Sequence, residues 1–209
     1  MNDEPERRGR DDQDDQRERD ALERVIAERL AAGELPQAAT VALRELGPQI
    51  LGYLCSTLRD DQAADEVFGY FSEQLWRSIA TFRGDSSFKT WAYKLVMHSV
   101  ARYRRDGYRR LGVSLGSEVS AIADSVRSQT PAYQRTDVKD RVARLREALD
   151  AEEQTLLFLR IDQGLPWSDI AAIMSADGEE VAAATLRKRF ERAKARLRTL
   201  AAEHGLLDE

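Results

Sequence analysis

The sequence predicts an all-α protein made of two small helical domains joined by a flexible linker. Apolar residues recur at intervals of three and four along most of the chain, and no useful length alternates with period two, so we predict no strands. Residues 106–133 are rich in Gly, Ser and isolated polar residues and lack sustained periodicity, which is typical of a linker, with a transient helix over 119–126 as an alternative. We therefore predict a tail at 1–19, a first domain at 20–106, a linker at 107–133 and a second domain at 134–209.

The composition narrows the class of protein. A content of 42% hydrophobic and 33% charged residues suits small, charge-coated helical bundles rather than one large core. No apolar run approaches the roughly 20 residues that span a bilayer, and the amino terminus lacks the apolar segment of a secretory signal. Cys55 is the only cysteine, so an internal disulfide is excluded and we expect a buried small hydrophobe. These features favour a cytoplasmic protein.

The first 20 residues carry nine acidic side chains against five arginines and almost no apolar residue. Such a composition predicts a disordered acidic tail. The pattern then changes, and a first helix is predicted from a cap at Asp20 through Leu30 to a stop at Gly33.

Three more helices complete the predicted first domain. The second has Pro36 in its first turn and runs to about Arg59, with a kink or brief interruption predicted at 47–48. The third is capped by either Asp60 or Asp61 and carries an apolar stripe to Ile79.

The fourth helix follows a break at 83–86, is capped by either Ser86 or Ser87, and runs to about Arg105. Four helices with a shared apolar interior make a compact domain.

The segment 77–110 is the most basic part of the first domain. It holds nine cationic side chains and two acidic ones, in a chain whose formal net charge is −5. Six aromatic residues lie between these cations: Phe82, Phe88, Trp91, Tyr93, Tyr103 and Tyr108. Cations neutralise phosphates and aromatic faces stack on unpaired bases, so this combination favours single-stranded nucleic acid. The alternative is the solvated basic face of an amphipathic helix whose apolar residues face a core.

The second domain is predicted to open with a helix over 136–149. Asp150 and Glu153 then form a capping box for a helix that Gly164 stops. Ser168 can cap a short helix, and after a turn at 175–178 a long basic helix runs to about Glu203.

Between 187 and 198 that last helix has seven cations and one acid. A short helix, a turn and a basic helix are typical of a helix-turn-helix, whose second helix enters the major groove. The alternative is a terminal solvated helix or a coiled-coil arm.

At this point the motifs resemble a known family. FRGDSSFKTWAYKL at 82–95 resembles region 2 of extracytoplasmic-function (ECF) sigma factors, the smallest branch of the sigma-70 family. GLPWSDIAAIM at 164–174 and TLRKRFERAKARLR at 185–198 resemble their region 4. The resemblance covers about 38–110 and 137–200. It implies a bacterial RNA polymerase subunit that initiates transcription at promoters, with no catalytic chemistry, cofactor or metal of its own. The implied partners are the β′ clamp helices and β flap of core polymerase and promoter DNA, and an anti-sigma factor is left open.

The resemblance also implies site residues. Contacts to the melted −10 element are carried over to Phe82, Arg83, Ser86, Ser87, Lys89, Trp91, Lys94, His98, Arg102 and Arg105. Contacts to the −35 duplex are carried over to Thr185, Arg187, Lys188, Arg189, Glu191 and Arg192. Contacts to core polymerase are carried over to Asp65, Glu66, Phe68 and Gly69.

Three departures from the family pattern affect these expectations. Gly69-Tyr70 stands where the family usually has Gln-Glu in the clamp-binding helix. His98 stands where Asn is common, so base preference there is expected to differ. The turn before Thr185 is about five residues longer than the family's usual turn.

Two other function classes can be weighed from the sequence. A stand-alone helix-turn-helix regulator would explain the second domain and leave the aromatic and basic first domain unused. An enzyme is disfavoured, since His98 and His204 are the only histidines and neither a Gly-rich phosphate loop nor a Ser or Cys nucleophile motif is present.

Overall fold

The computed structural model of the chain describes residues 21–106, 117–129, 145, 148–175 and 180–203. Regular structure within these residues is helical, without a strand, which confirms the all-α prediction. The helices are α1 at 21–31, α2 at Leu35–Leu58, α3 at Asp61–Ser78, α4 at Phe88–Asp106, α5 at Ser117–Gln129, α6 at Ala151–Leu157, α7 at Trp167–Met174 and α8 at Ala183–Glu203. A 3₁₀ turn (Ile79–Thr81) follows α3, and a π-helical turn (Phe158–Asp162) extends α6.

Several helices begin at the side chains that the sequence predicts. Asp60 accepts a hydrogen bond from the Ala63 N–H at 3.1 Å and so caps α3. Asp150 and Glu153 form the predicted capping box of α6, with each side chain accepting from the other's backbone N–H. These side chains accept hydrogen bonds from backbone N–H groups that have no partner within their own helices.

Two features predicted for the helices were wrong, namely the brief interruption at 47–48 and the cap at Ser168. Helix α2 continues through Pro48, with the buried Leu46 and Ile50 on either side packed in the core, and the alternative of a kink there stays a prediction. Helix α7 begins at Trp167 rather than after a cap at Ser168. Pro166 precedes it, and its carbonyl accepts the N–H of Asp169 at 3.0 Å.

The largest difference from the prediction concerns 117–129, a part of the predicted linker in which the sequence indicated at most a transient helix over 119–126. These residues form α5, which packs against α2 and α3. Val119, Ile122, Ala123 and Val126 are buried and follow the i, i+3, i+4, i+7 spacing of a helix face. That stripe is short and flanked by Gly and Ser, so the sequence indicated only a transient helix there.

The close approach of α2 and α5 depends on Gly47 of α2. A Cβ added there would come within 2.9 Å of a Val126 methyl group of α5. The absent side chain therefore makes room for α5.

The second half of the chain packs on the first instead of standing apart from it. The Tyr53 ring stacks on Phe158 with centroids 4.5 Å apart, and its hydroxyl lies 2.8 Å from the Thr155 hydroxyl. Thr90 of α4 donates a hydrogen bond to Asp169 of α7 at 2.7 Å. Buried apolar residues from both halves form one continuous cluster. The domain boundaries near 106 and 133 stay a prediction.

Several predictions fall on residues that lie outside the described ones: the tail at 1–19, the cap at Asp20, the linker at 107–116 and 130–133, and nearly all of the helix at 136–149. Cys55 is half-buried rather than fully buried. Burial, with Asp61 and Asp65 nearby, raises the pKa of its thiol. In the part of the chain that the structure describes, no helix is both long and apolar enough to cross a membrane.

Candidate nucleic-acid interface

One face of α4 carries cationic and polar side chains, which we call the first basic surface together with Arg83 of the preceding loop. Helical spacing brings Trp91, Lys94, His98, Arg102 and Arg105 to this face. His98, Arg102 and Arg105 are exposed, and Trp91 and Lys94 are half-buried.

The opposite face of α4 is buried. Tyr93, Val96 and Val100 are in the core, so packing fixes which face of the helix remains accessible. The cations of the first basic surface are therefore held on one rigid element.

Three aromatic rings form a cluster at the start of α4. Phe82 lies 5.2 Å from Phe88 in an edge-to-face arrangement, and Trp91 lies 5.5 Å from Phe82 and 5.3 Å from Phe88. Phe88 is fully buried, whereas Phe82 and Trp91 are partly exposed. Two accessible rings seated on a buried one form a fixed surface on which an unpaired base could stack.

The loop between Phe82 and α4 is short and polar. Gly84 has φ of +76°, a left-handed conformation that glycine adopts without steric cost. Arg83 pairs with Asp85 at 3.0 Å, with both side chains largely exposed, so the pair contributes little and a phosphate can replace the carboxylate.

The two serines of this loop differ in their contacts. The Ser87 hydroxyl accepts the Thr90 N–H at 3.0 Å, which resolves the predicted alternative of Ser86 or Ser87 in favour of Ser87 as the cap of α4. Ser86 donates to the Ser87 carbonyl at 3.2 Å. Lys89, in the first turn, is half-buried.

Sequence reasoning missed the role of Tyr70, although it had noted the residue as a departure. The Arg102 guanidinium lies 4.9 Å from the centre of the Tyr70 ring and donates to its hydroxyl at 2.8 Å. Tyr70 thus links α3 to the first basic surface and orients one of its cations.

The predicted polymerase contacts on α3 separate into two groups. Asp65 is exposed and Glu66 is half-buried, whereas Phe68 and Gly69 are in the interior. Phe68 and Gly69 lie on the core side of α3 together with Ala64 and Phe71. Both are buried in this structure, and their assignment to core polymerase stays a prediction.

The second basic surface is the outward face of α8. Thr185, Arg187, Lys188, Glu191 and Arg192 are exposed there. Leu186, Phe190 and Ala193 are buried and hold the helix to α6 and α7. Arg187 lies 5.9 Å from the centre of the Trp167 ring, so α7 supports one of these cations.

Arg189, a sixth predicted −35 contact, points elsewhere. Its guanidinium forms an ion pair with Glu152 of α6, and Arg196 pairs with Glu153 at 3.1 Å. These two arginines attach α8 to the rest of its half, so Arg189 has a structural partner that the sequence did not reveal. The lengthened turn before α8 lies outside the described residues at 176–179.

The shared core leaves both basic surfaces accessible. The second half covers the side of α4 that bears Thr90, Met97 and Ala101, where a cavity of about 280 Å³ also remains. The face with His98 and Arg102 is not covered. Among the described residues, no group of three or more His, Cys, Asp or Glu side chains could hold a metal ion.

Known proteins resemble the chain in both sequence and structure. The family model for sigma-70 region 2 matches residues 42–110. The RNA polymerase sigma-H factor of Pseudomonas aeruginosa is 27% identical over 176 residues, which cover 81% of this chain and 88% of that protein. The RNA polymerase sigma factor YlaC of Bacillus subtilis is 28% identical over 152 residues, covering 71% and 86%.

A solved structure shares the fold. CnrH, in complex with the cytosolic domain of CnrY, superposes with a TM-score of 0.58 at 18% identity, covering 87% of this chain and 98% of CnrH. The class that these findings define is that of RNA polymerase sigma factors. Residues 42–110 match sigma-70 region 2, and most of the chain is similar in sequence to RNA polymerase sigma factors.

Proposed function

We propose that this protein is a sigma factor of the ECF type that recognises a promoter at two places, reading the melted −10 element with the first basic surface and the −35 duplex with α8. The observation that carries the proposal is the presence of two separate, exposed cationic surfaces with different chemistry. The surface on α4 has aromatic rings beside its cations, and the surface on α8 lies on the second helix of a helix-turn-helix.

Capture of the −10 strand needs a favourable contact for each base that leaves the duplex. Extruding a base costs a few kcal/mol, and stacking on an aromatic side chain returns about 1–3 kcal/mol per base. Phe82 and Trp91 supply accessible rings, while Arg83, Lys94 and Arg105 supply charges for the strand backbone. Stacking and phosphate neutralisation together can offset the cost of unstacking.

Recognition of the −35 element uses a different mechanism. Side chains in the first turns of a recognition helix reach base edges in the major groove, and Arg pairs well with guanine. Thr185, Arg187 and Lys188 are in the first turns of α8, with Glu191 and Arg192 one turn later. These five side chains are the proposed −35 contacts, and Arg189 contributes through its pairing with α6.

The proposal includes the protein partners. Asp65 and Glu66 of α3 would contact the clamp of core RNA polymerase, and the second half would contact the β flap. These partners place the protein in the cytoplasm and leave the chemistry of transcription to core enzyme. Because CnrH is in complex with the CnrY cytosolic domain, we extend the proposal to a protein partner of this chain that acts as an anti-sigma factor.

Transcription by purified core polymerase tests the proposal. Run-off transcription of genomic fragments, followed by sequencing of RNA 5′ ends, should show discrete start sites that depend on this protein. A stand-alone regulator would bind duplex DNA but would not confer such starts on core enzyme. Start sites that are the same with and without the protein would contradict the proposed function.

A further inference from the structure

The first turn of α4 receives a carboxylate from α1, a helix outside the region that the family model matches. The two oxygens of Glu23 accept hydrogen bonds from the Phe88 N–H at 2.8 Å and the Lys89 N–H at 3.1 Å. Ser87 accepts the Thr90 N–H. The first N–H groups of a helix have no partner within it, so side chains here satisfy all three.

The position of Glu23 is fixed by its own helix. Ile26 of α1 is fully buried, and Leu22 and Leu30 pack against the same core. A negative charge at a helix amino terminus is also favourable, because it complements the helix dipole. Phe88 is the buried ring of the aromatic cluster. The Glu23 carboxylate therefore fixes the backbone at the residue on which the two accessible rings pack.

We propose that Glu23 is a positioning residue for −10 recognition. It fixes the first turn of α4, so Phe82 and Trp91 keep one relative orientation before the strand arrives. This inference rests on the assignment of the −10 element to the first basic surface.

Substitution of Glu23 in the full chain, assembled with core polymerase, tests this role. The probe is a single-stranded oligonucleotide with the −10 sequence that wild-type holoenzyme selects from a random library. Glu23→Ala should weaken capture roughly fivefold and reduce discrimination against −10 base changes, since a lost helix cap costs about 1 kcal/mol. Glu23→Gln, which retains one acceptor oxygen, should restore part of both.

Glu28→Ala is the matched control, because Glu28 is an exposed acid of the same helix and its loss removes the same charge. Affinities for core polymerase and for −35 duplex should be unchanged in Glu23→Ala, which separates positioning from unfolding. Capture by Glu23→Ala equal to or tighter than that by Glu28→Ala would overturn the inference. Failure of wild-type holoenzyme to capture any strand would instead refute the proposed function.

A different observation concerns the polymerase face of α3. Arg127 of α5 forms an ion pair with Asp65 at 3.2 Å and donates to the Asp65 carbonyl at 3.0 Å. Its guanidinium also lies 5.7 Å from the centre of the Phe68 ring. One arginine of α5 therefore contacts two of the residues that the sequence assigned to core polymerase.

The buried apolar stripe of α5 fixes the position of Arg127. Val119, Ile122 and Val126 are buried against α2 and α3, with Val126 next to Gly47. While α5 is docked, Arg127 therefore pairs with the Asp65 carboxylate and lies over the Phe68 ring, so both of these predicted polymerase contacts already have a partner within the chain. We infer that docked α5 competes with core polymerase for α3, so polymerase binding requires its displacement. This inference also rests on the proposed function.

A reversible crosslink tests the competition. Gly47→Cys and Val126→Cys, in a Cys55→Ser background, should form a disulfide on oxidation with oxidised glutathione, because these positions are in contact. The crosslinked full chain should bind core polymerase at least tenfold more weakly, and reduction should restore binding. Equal binding by the oxidised and reduced forms would overturn the inference.

Arg127→Ala provides a second test without a crosslink. Loss of the ion pair and the ring contact should tighten core binding roughly two- to fivefold, because α5 is held less firmly. Arg24→Ala, which removes an exposed cation of α1, is the charge-matched control. Unchanged or weaker binding by Arg127→Ala relative to that control would argue against displacement.

Discussion

Among the proposed −10 contacts, His98 is the one that departs from the family's common residue. It is exposed on the first basic surface, between Lys94 and Arg102, where the family often has Asn. An imidazole and an amide present different donors and acceptors, so a different base preference is expected.

We predict that His98→Ala changes selectivity at the −10 element while affinity for core polymerase and for −35 duplex is retained. Loss of a base-reading contact should cost about 1–3 kcal/mol at the position it reads and relax specificity there. Transcription from a library of −10 variants measures this. Identical output from wild type and His98→Ala across the library would show that His98 does not read sequence.

Individual residues also show the limits of prediction from sequence. The caps at Asp60 and Asp150 could be predicted, because they depend on residues a few positions apart. Phe68 and Arg189 could not be placed, because their partners are far away in sequence. Phe68 is covered by α5, and Arg189 pairs with Glu152, which is 37 residues distant.

Among the helices, α8 separates the proposed DNA contacts most clearly from the residues that pack against the rest of the protein. Its buried stripe and its pairs with α6 hold it in place, while the side chains on the opposite face remain accessible. Substitutions on that accessible face should therefore alter DNA binding without unfolding the protein.

We predict that Arg187→Ala combined with Arg192→Ala removes −35-dependent binding and spares affinity for core polymerase. Two lost cations weaken phosphate contacts at all sequences, and the lost base contacts reduce specificity. Arg24→Ala combined with Arg44→Ala, at exposed positions on α1 and α2, removes the same charge as a control. Footprinting measures the result, and unchanged promoter occupancy would contradict the assignment.

The helices also show why the linker prediction was wrong in part. Helix α5 has only 13 residues, and its apolar stripe is short. An isolated helix of this length is marginally stable in water, so local sequence gives a weak signal. The stripe is stabilised by packing on α2 and α3, and the sequence does not reveal that packing.

At the scale of the whole molecule, the distance between the two promoter elements can be compared with the size of the folded chain. Positions −35 and −10 are about 25 base pairs apart, which corresponds to roughly 85 Å of B-DNA at 3.4 Å per base pair. A compactly folded chain of 209 residues has a radius of gyration of only about 17 Å. Under the proposed function, the two halves must therefore separate before one chain contacts both elements.

We predict that core polymerase opens the protein. Dyes attached at Gln37→Cys of α2 and Ala202→Cys of α8, both exposed positions, in a Cys55→Ser background would report the separation by energy transfer. The mean distance should rise by tens of ångströms on addition of core enzyme, which replaces contacts such as Tyr53–Phe158 and Thr90–Asp169. An unchanged distance in an active holoenzyme would exclude opening.

Probing both strands of one promoter is the most direct test of recognition at two places. Holoenzyme containing this protein should protect the −35 duplex from nuclease and, on the same DNA, make thymines of the −10 element reactive to permanganate because they are unpaired. Arg187→Ala with Arg192→Ala should lose the upstream protection. A single duplex footprint without reactive thymines would contradict the assignment of the first basic surface to an opened strand.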